Sequence, residues 1–113
     1  MHELAICGSI AEIVCRRAAD RPVTAIYLRI GQLRQVVPET LRDCWELVSA
    51  DTQLDGAALE VEQVPASIVC KACGVTSVLG DLPLFICPAC DGVDLDVVSG
   101  EEFLITAIDL VEA

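Results

Sequence analysis

The chain has 113 residues, 54% of them hydrophobic, and carries 18 acidic against 7 basic side chains for a formal net charge of −11. That length and composition describe one folded domain with a small appended module and exclude a disordered chain. No apolar run reaches the roughly 20 residues of a membrane span, and the acidic excess argues against a nucleic-acid partner.

At the start, Met1-His2-Glu3 contains the only histidine of the chain. The α-amino and amide nitrogens there can close a five-membered chelate ring, and the His2 amide and imidazole a six-membered one. Three coplanar nitrogens suit a square-planar ion such as Ni(II) or Cu(II). Alone this is a weak signal, since a terminal histidine is ordinarily a frayed, solvated end. Nothing before Leu4 supplies the basic region of a secretion signal, and Arg16-Arg17 follow the apolar stretch instead of preceding it, so a cytoplasmic location is expected. In such a reducing compartment, cysteine pairs more often hold a metal than form disulfides.

Residues 4–19 read as a helix, with Leu4, Cys7, Ala11, Val14, Cys15 and Ala18 on one stripe and Glu12 and Arg16 as an i,i+4 pair. Arg21-Pro22 ends it. Val23 to Ile30 alternates as a strand with Ile26, Leu28 and Ile30 on one face, closed by Gly31. Pro38 opens a second helix whose stripe is Leu41, Cys44, Trp45 and Val48. After an Asp55-Gly56 turn, Ala58 to Val64 alternates again, with Leu59 and Val61 opposite Glu60 and Glu62. Strand, helix and strand are expected to form a parallel, right-handed crossover. Cys7, Cys15 and Cys44 read as small buried hydrophobes, and Trp45 as core. With its one histidine terminal, the chain lacks a histidine base for a Ser or Cys nucleophile deep in the fold, which excludes catalysis by a Ser or Cys with His.

From Ala66 to Val98 the composition turns to Cys, Gly, Pro and Asp, and a strand-like run from Phe103 to Val111 follows. The segment contains Cys70-Lys-Ala-Cys73 and Cys87-Pro-Ala-Cys90, two Cys-x-x-Cys pairs spaced so that four thiolates satisfy one tetrahedral Zn²⁺ with no open position. Metal binding then helps fold a segment too short and polar to fold alone. Val75 to Leu79 and Leu82 to Ile86 are expected to be the ribbon strands. Zinc is favoured over iron, because only Phe85 offers an aromatic shell, and over a thioredoxin-type dithiol, which uses one pair. The segment's single Lys71 lies among Asp81, Asp91, Asp94 and Asp96, the wrong charge for a nucleic-acid ribbon.

Met1-His2-Glu3, the Leu28-Arg-Ile-Gly31 strand end, Val37-Pro38-Glu39, the paired cysteines and Ser99-Gly100-Glu101-Glu102 together resemble the HypA family of hydrogenase maturation and nickel-incorporation proteins, in order and over nearly the whole chain. The resemblance implies an α+β fold, two helices on one face of a small mixed three-stranded sheet with an inserted zinc ribbon. Residues 1–65 and 99–113 then form a nickel-binding α/β domain and 66–98 the zinc-ribbon domain. It implies a non-enzymatic metallochaperone that binds Ni²⁺ through Met1, His2 and Glu3. Cys70, Cys73, Cys87 and Cys90 match its structural zinc ligands. The implied partners are the HypB GTPase and the [NiFe] hydrogenase large-subunit precursor, and some relatives also serve urease maturation. Histidines that flank the zinc cysteines in some members are absent here. A zinc-ribbon protein-interaction adaptor without nickel function is the alternative reading.

Overall fold

The computed structural model describes residues 3–80 and 84–111. The chain divides into two compact units, one of residues 1–29, 36–62 and 104–113, the other of residues 30–35 and 63–103.

In the first unit, helix α1 (Glu3–Ala18) buries Cys7, Ile10, Val14 and Ala18. Their spacing is helical, but the stripe runs through Ile10 instead of Leu4 and Ala11; Leu4 is 57% exposed. The larger Ile10 takes the central position that Ala11, one residue on, leaves half-buried. Ala19 adopts φ 54° and its N–H returns to the Cys15 carbonyl at 3.0 Å, ending the helix at Ala18. Strand β1 (Val23–Gly31), whose last two residues are counted with the second unit, buries Ile26, Leu28 and, at its end, Ile30. Helix α2 (Pro38–Ser49) begins with proline at its first turn, where a missing N–H has no intrahelical partner to lose. It buries Leu41 and Trp45, while Cys44 and Val48 are half-buried. The Cys7 thiol donates to the Leu41 carbonyl at 3.3 Å, joining the two helices. The Trp45 indole N–H reaches the Ala57 carbonyl at 3.0 Å, so this core tryptophan leaves no polar atom stranded.

Strands β2 (Ala58–Val64) and β6 (Phe103–Leu110) flank β1 in the order β2-β1-β6. Hydrogen bonds from Val111 N–H to Pro22 O (3.0 Å) and Gly31 N–H to Glu102 O (2.7 Å) show that β1 and β6 run antiparallel. Tyr27 donates its hydroxyl to Asp109 at 2.7 Å across that pair, and Arg29 pairs with Glu62 of β2 at 2.9 Å. The expected Glu12–Arg16 ion pair forms on the exposed side of α1.

The second unit is built on β3 (Ser67–Cys70), β4 (Thr76–Val78) and β5 (Leu95–Ser99) in the order β4-β3-β5, antiparallel throughout. The strand expected over Leu82 to Ile86 is a correction. Leu82 lies outside the described residues, and Leu84, Phe85 and Ile86 form no strand and are exposed. Those apolar residues lead directly into the Cys87 turn, and the place beside β3 belongs to β5, which pairs Cys70 with Leu95 and Ile68 with Val97. The buried hydrophobic cluster is small: Ala66, Ile68 and Leu79, with Leu33 and Leu95 against it.

The turn at residues 30–35 is part of this unit. Leu33 N–H reaches Gly100 O at 2.8 Å, and Arg34 Nε reaches Glu101 O at 2.7 Å. Gly31 and Gly100 meet so closely that a Cβ on Gly31 would lie 2.0 Å from the Gly100 oxygen. Ser99 donates to Pro65 O at 2.9 Å, which leaves the Ser67 hydroxyl as donor in its 2.6 Å contact with Ser99 Oγ.

Candidate metal centre

Each Cys-x-x-Cys pair folds into the same turn. In the first, Gly74 N–H returns to Cys70 O at 2.7 Å and Cys70 N–H bonds Val75 O at 3.0 Å. In the second, Asp91 N–H returns to Cys87 O at 2.9 Å and Cys87 N–H bonds Gly92 O at 2.8 Å. Gly74 (φ 79°) and Asp91 (φ 60°) hold equivalent left-handed positions after the second cysteine of each pair. That conformation is free for glycine and, among other residues, most accessible to Asn and Asp. Glycine after Cys73 is a visible signal in the sequence; aspartate after Cys90 hides the same turn.

The two turns bring together the four cysteines that the spacing selects, with their sulfurs all within 4.8 Å of one another. Cys70 Sγ and Cys90 Sγ are 3.6 Å apart, as are Cys73 Sγ and Cys87 Sγ. A tetrahedral ion with bonds of about 2.3 Å to sulfur sets its ligands about 3.8 Å apart, so the quartet has the dimensions of a Zn²⁺ site. Cys70 and Cys87 are buried and Cys73 and Cys90 exposed. Gly92 allows the closure: a Cβ there would lie 3.2 Å from Cys90 Sγ and 3.3 Å from Cys70 Sγ. The spacing alone does not identify that glycine.

The electrostatics show what an ion has to do. Backbone N–H groups, that of Cys73 foremost, hold the Cys70 thiol down at about 7. At Cys90 the Gly92 amide favours the thiolate, but the neighbouring Cys70, Cys73 and Cys87 sulfurs outweigh it and push the thiol up to about 12. Cys73 is likewise raised: its Val75 amide contact is overcome by desolvation and by neighbouring sulfur. One thiolate accepts S–H donation from its neighbours, and a divalent cation is needed to stabilise the rest in the ionised form. Lys71 lies 3.8 Å from Asp94 and 3.5 Å from Asp96, so the segment's single lysine is already engaged by acid.

Of the terminal triad, Met1 and His2 lie outside the described residues. Glu3 is the first residue of α1 and is 8% exposed. Its charge acts on Cys7, whose thiol is pushed up to about 11 by burial first, then by Cys44 and Glu3. Cys7 is therefore a neutral thiol donor to the Leu41 carbonyl, in keeping with its reading as a packed core residue. Cys15 and Cys44 are half-buried.

The family model described as HypA, hydrogenase/urease nickel incorporation, metallochaperone, matches residues 1–110. Two curated relatives are called Hydrogenase maturation factor HypA. The one from Geotalea uraniireducens is 42% identical over 110 residues, covering 97% of this chain and 99% of its own. The one from Desulfatibacillum aliphaticivorans is 38% identical over 116 residues, covering 99% and 88%. Among solved structures, the solution structure of the Ni metallochaperone HypA from Helicobacter pylori superposes with a TM-score of 0.64 at 15% identity, covering both chains fully. A second solution structure of HypA protein gives 0.60 at 13% identity, over 96% of this chain and 92% of that one. At these identities the structural likeness concerns the fold.

Proposed function

Because the chain belongs to the HypA family of hydrogenase and urease nickel-incorporation metallochaperones, which are maturation factors and not enzymes, we propose that it binds Ni(II) at its N-terminus and delivers it to the large subunit of [NiFe] hydrogenase. The observation that carries this reading is the family match, which starts at residue 1 and so includes Met1-His2-Glu3. The four cysteines are reserved for a second ion. Four thiolates close the coordination sphere of Zn²⁺, so that ion supports the fold and leaves transport to another site.

The chemistry of the terminus suits a cargo. The Met1 amine, the His2 amide and the His2 imidazole supply three nitrogens of a square plane. The Glu3 amide is the natural fourth donor, since the Glu3 side chain is buried at the start of α1. Binding requires loss of a proton from an amine with an ordinary value of about 7.7–8.0 and from an imidazole near 6.5, so the complex weakens in mild acid and the cargo is exchangeable. The HypB-type GTPase and the hydrogenase precursor are the proposed partners, urease maturation factors serve as a second route, and the cytoplasm is the compartment where they meet.

Nickel titration of the zinc-loaded protein with an untagged N-terminus tests the proposal. The expected result is one Ni(II) per chain, lost in His2→Gln and after acetylation of the Met1 amine, with zinc unchanged in both. Nickel retained by both variants would overturn the terminal chelate.

A further inference from the structure

Two hydrogen bonds converge on one side chain at the base of the cysteine unit. Gln32, on the 3-10 turn Gln32–Arg34, accepts the Ala66 N–H at Oε1 (2.9 Å) and donates from Nε2 to the Gly80 carbonyl (2.7 Å). Ala66 directly precedes β3. Gly80 follows Leu79, whose own N–H returns to Ala66 O at 2.8 Å. The carboxamide thus spans the open end of the β3–β4 hairpin, whose closed end is the Cys70–Cys73 turn. A carboxamide offers an acceptor and an N–H donor side by side on one rigid plane.

The hairpin needs such a closure. Strand β4 has three residues, paired as Ser67↔Val78, Ile68↔Ser77 and Val69↔Thr76, and the buried cluster beneath it contains, among the described residues, Ala66, Ile68 and Leu79. The turn carrying Gln32 is itself anchored: Leu33 packs on that cluster and bonds Gly100 O, and Arg34 bonds Glu101 O.

We propose that Gln32 is a positioning residue for the metal centre: it closes the base of the β3–β4 hairpin and thereby sets how long the Cys70–Cys73 turn at the tip retains its ion. The inference rests on the reading of the four cysteines as a zinc site. Zinc retention then depends on a turn that lies, in sequence, between β1 and α2 of the other unit.

The test uses the full-length, zinc-loaded chain and follows transfer of zinc to an excess of a coloured chelator. Gln32→Leu removes both hydrogen bonds and should release zinc roughly thirtyfold faster, the effect of two bonds of ordinary net strength. Gln32→Glu keeps the acceptor but sets a carboxylate oxygen against the Gly80 carbonyl, and should release at least as fast. Gln53→Leu is the control, because Gln53 makes a similar double bridge, to Ala19 O and Arg21 O, within the first unit; its zinc release should be unchanged. Amide exchange should rise in residues 66–80 of the Gln32 variants, while Trp45 fluorescence still reports a folded first unit. Equal release from wild type and Gln32→Leu, or equal acceleration in the Gln53 control, overturns the proposal. Wild-type protein that holds no stoichiometric zinc refutes instead the underlying zinc assignment.

Discussion

Gly31 and Gly8 should respond to alanine in opposite senses, for reasons that the backbone makes separable. Gly31 has φ −73° and ψ 146°, a conformation open to any residue, so no penalty arises from the dihedral angles. The penalty is contact: the added methyl would lie 2.0 Å from the Gly100 oxygen, 2.1 Å from its carbonyl carbon and 2.6 Å from the Glu101 nitrogen. All three are backbone atoms, so no side-chain rotation relieves the clash. Relief means parting the two segments and breaking the bonds Gly31 N–H to Glu102 O and Leu33 N–H to Gly100 O. Two such bonds at about 1 kcal/mol each and about 1–3 kcal/mol for overpacking give a loss of about 3–5 kcal/mol, a large share of the stability of a small protein. Gly8 lies within α1 with nothing within 4 Å of its prospective Cβ, and alanine there should stabilise by about 0.5–1 kcal/mol. Urea unfolding of zinc-loaded protein, followed by Trp45 fluorescence and far-UV dichroism, measures both. A Gly31→Ala variant within about 0.5 kcal/mol of wild type, the size of effect typical of a neutral surface change, would refute the close-approach argument.

The remaining predictions concern titration. Cys7 holds its proton to about pH 11 in the folded chain, whereas an unfolded thiol ionises near 9. Its contribution to stability is therefore complete below pH 9 and is lost as pH rises through 11; native-state alkylation of Cys7 should stay slow at pH 9, and rapid labelling in folded protein would contradict the buried donor role. At the metal centre, Cys70 is already largely ionised at pH 8. Zinc uptake at that pH should release fewer than four protons, read by calorimetry in buffers of different ionisation enthalpy, and release of all four would contradict the lowered Cys70 value.

The first unit is legible in the sequence wherever periodicity carries the information. Ile26, Leu28 and Ile30 alternate, Pro38 starts α2, and Trp45 is core, because a single buried face imposes a period of 2 or 3.6 on the residues that form it. The α1 stripe shifts because Leu4 and Ile10 are interchangeable by hydrophobicity; which one is buried depends on the surface that the helix meets. The cysteine quartet is legible because a tetrahedral ion fixes both ligand type and spacing. The third ribbon strand is not: Leu95–Ser99 is interrupted by Asp96 and preceded by Asp94, whereas the more apolar Leu84–Ile86 forms no strand. Strand identity there is decided by what lies beside β3, a long-range choice that local hydropathy does not encode. The bracing by Gln32 is invisible for the same reason, since its partners Ala66 and Gly80 contribute backbone atoms and leave no trace in residue type.

Within each Cys-x-x-Cys pair the first cysteine is buried and the second exposed. Cys70 and Cys87 are buried, while Cys73 and Cys90 are exposed. Oxidants, alkylating agents and competing chelators therefore meet the two exposed cysteines first, one from each turn. The two buried cysteines, again one from each turn, are the ones shielded from such attack.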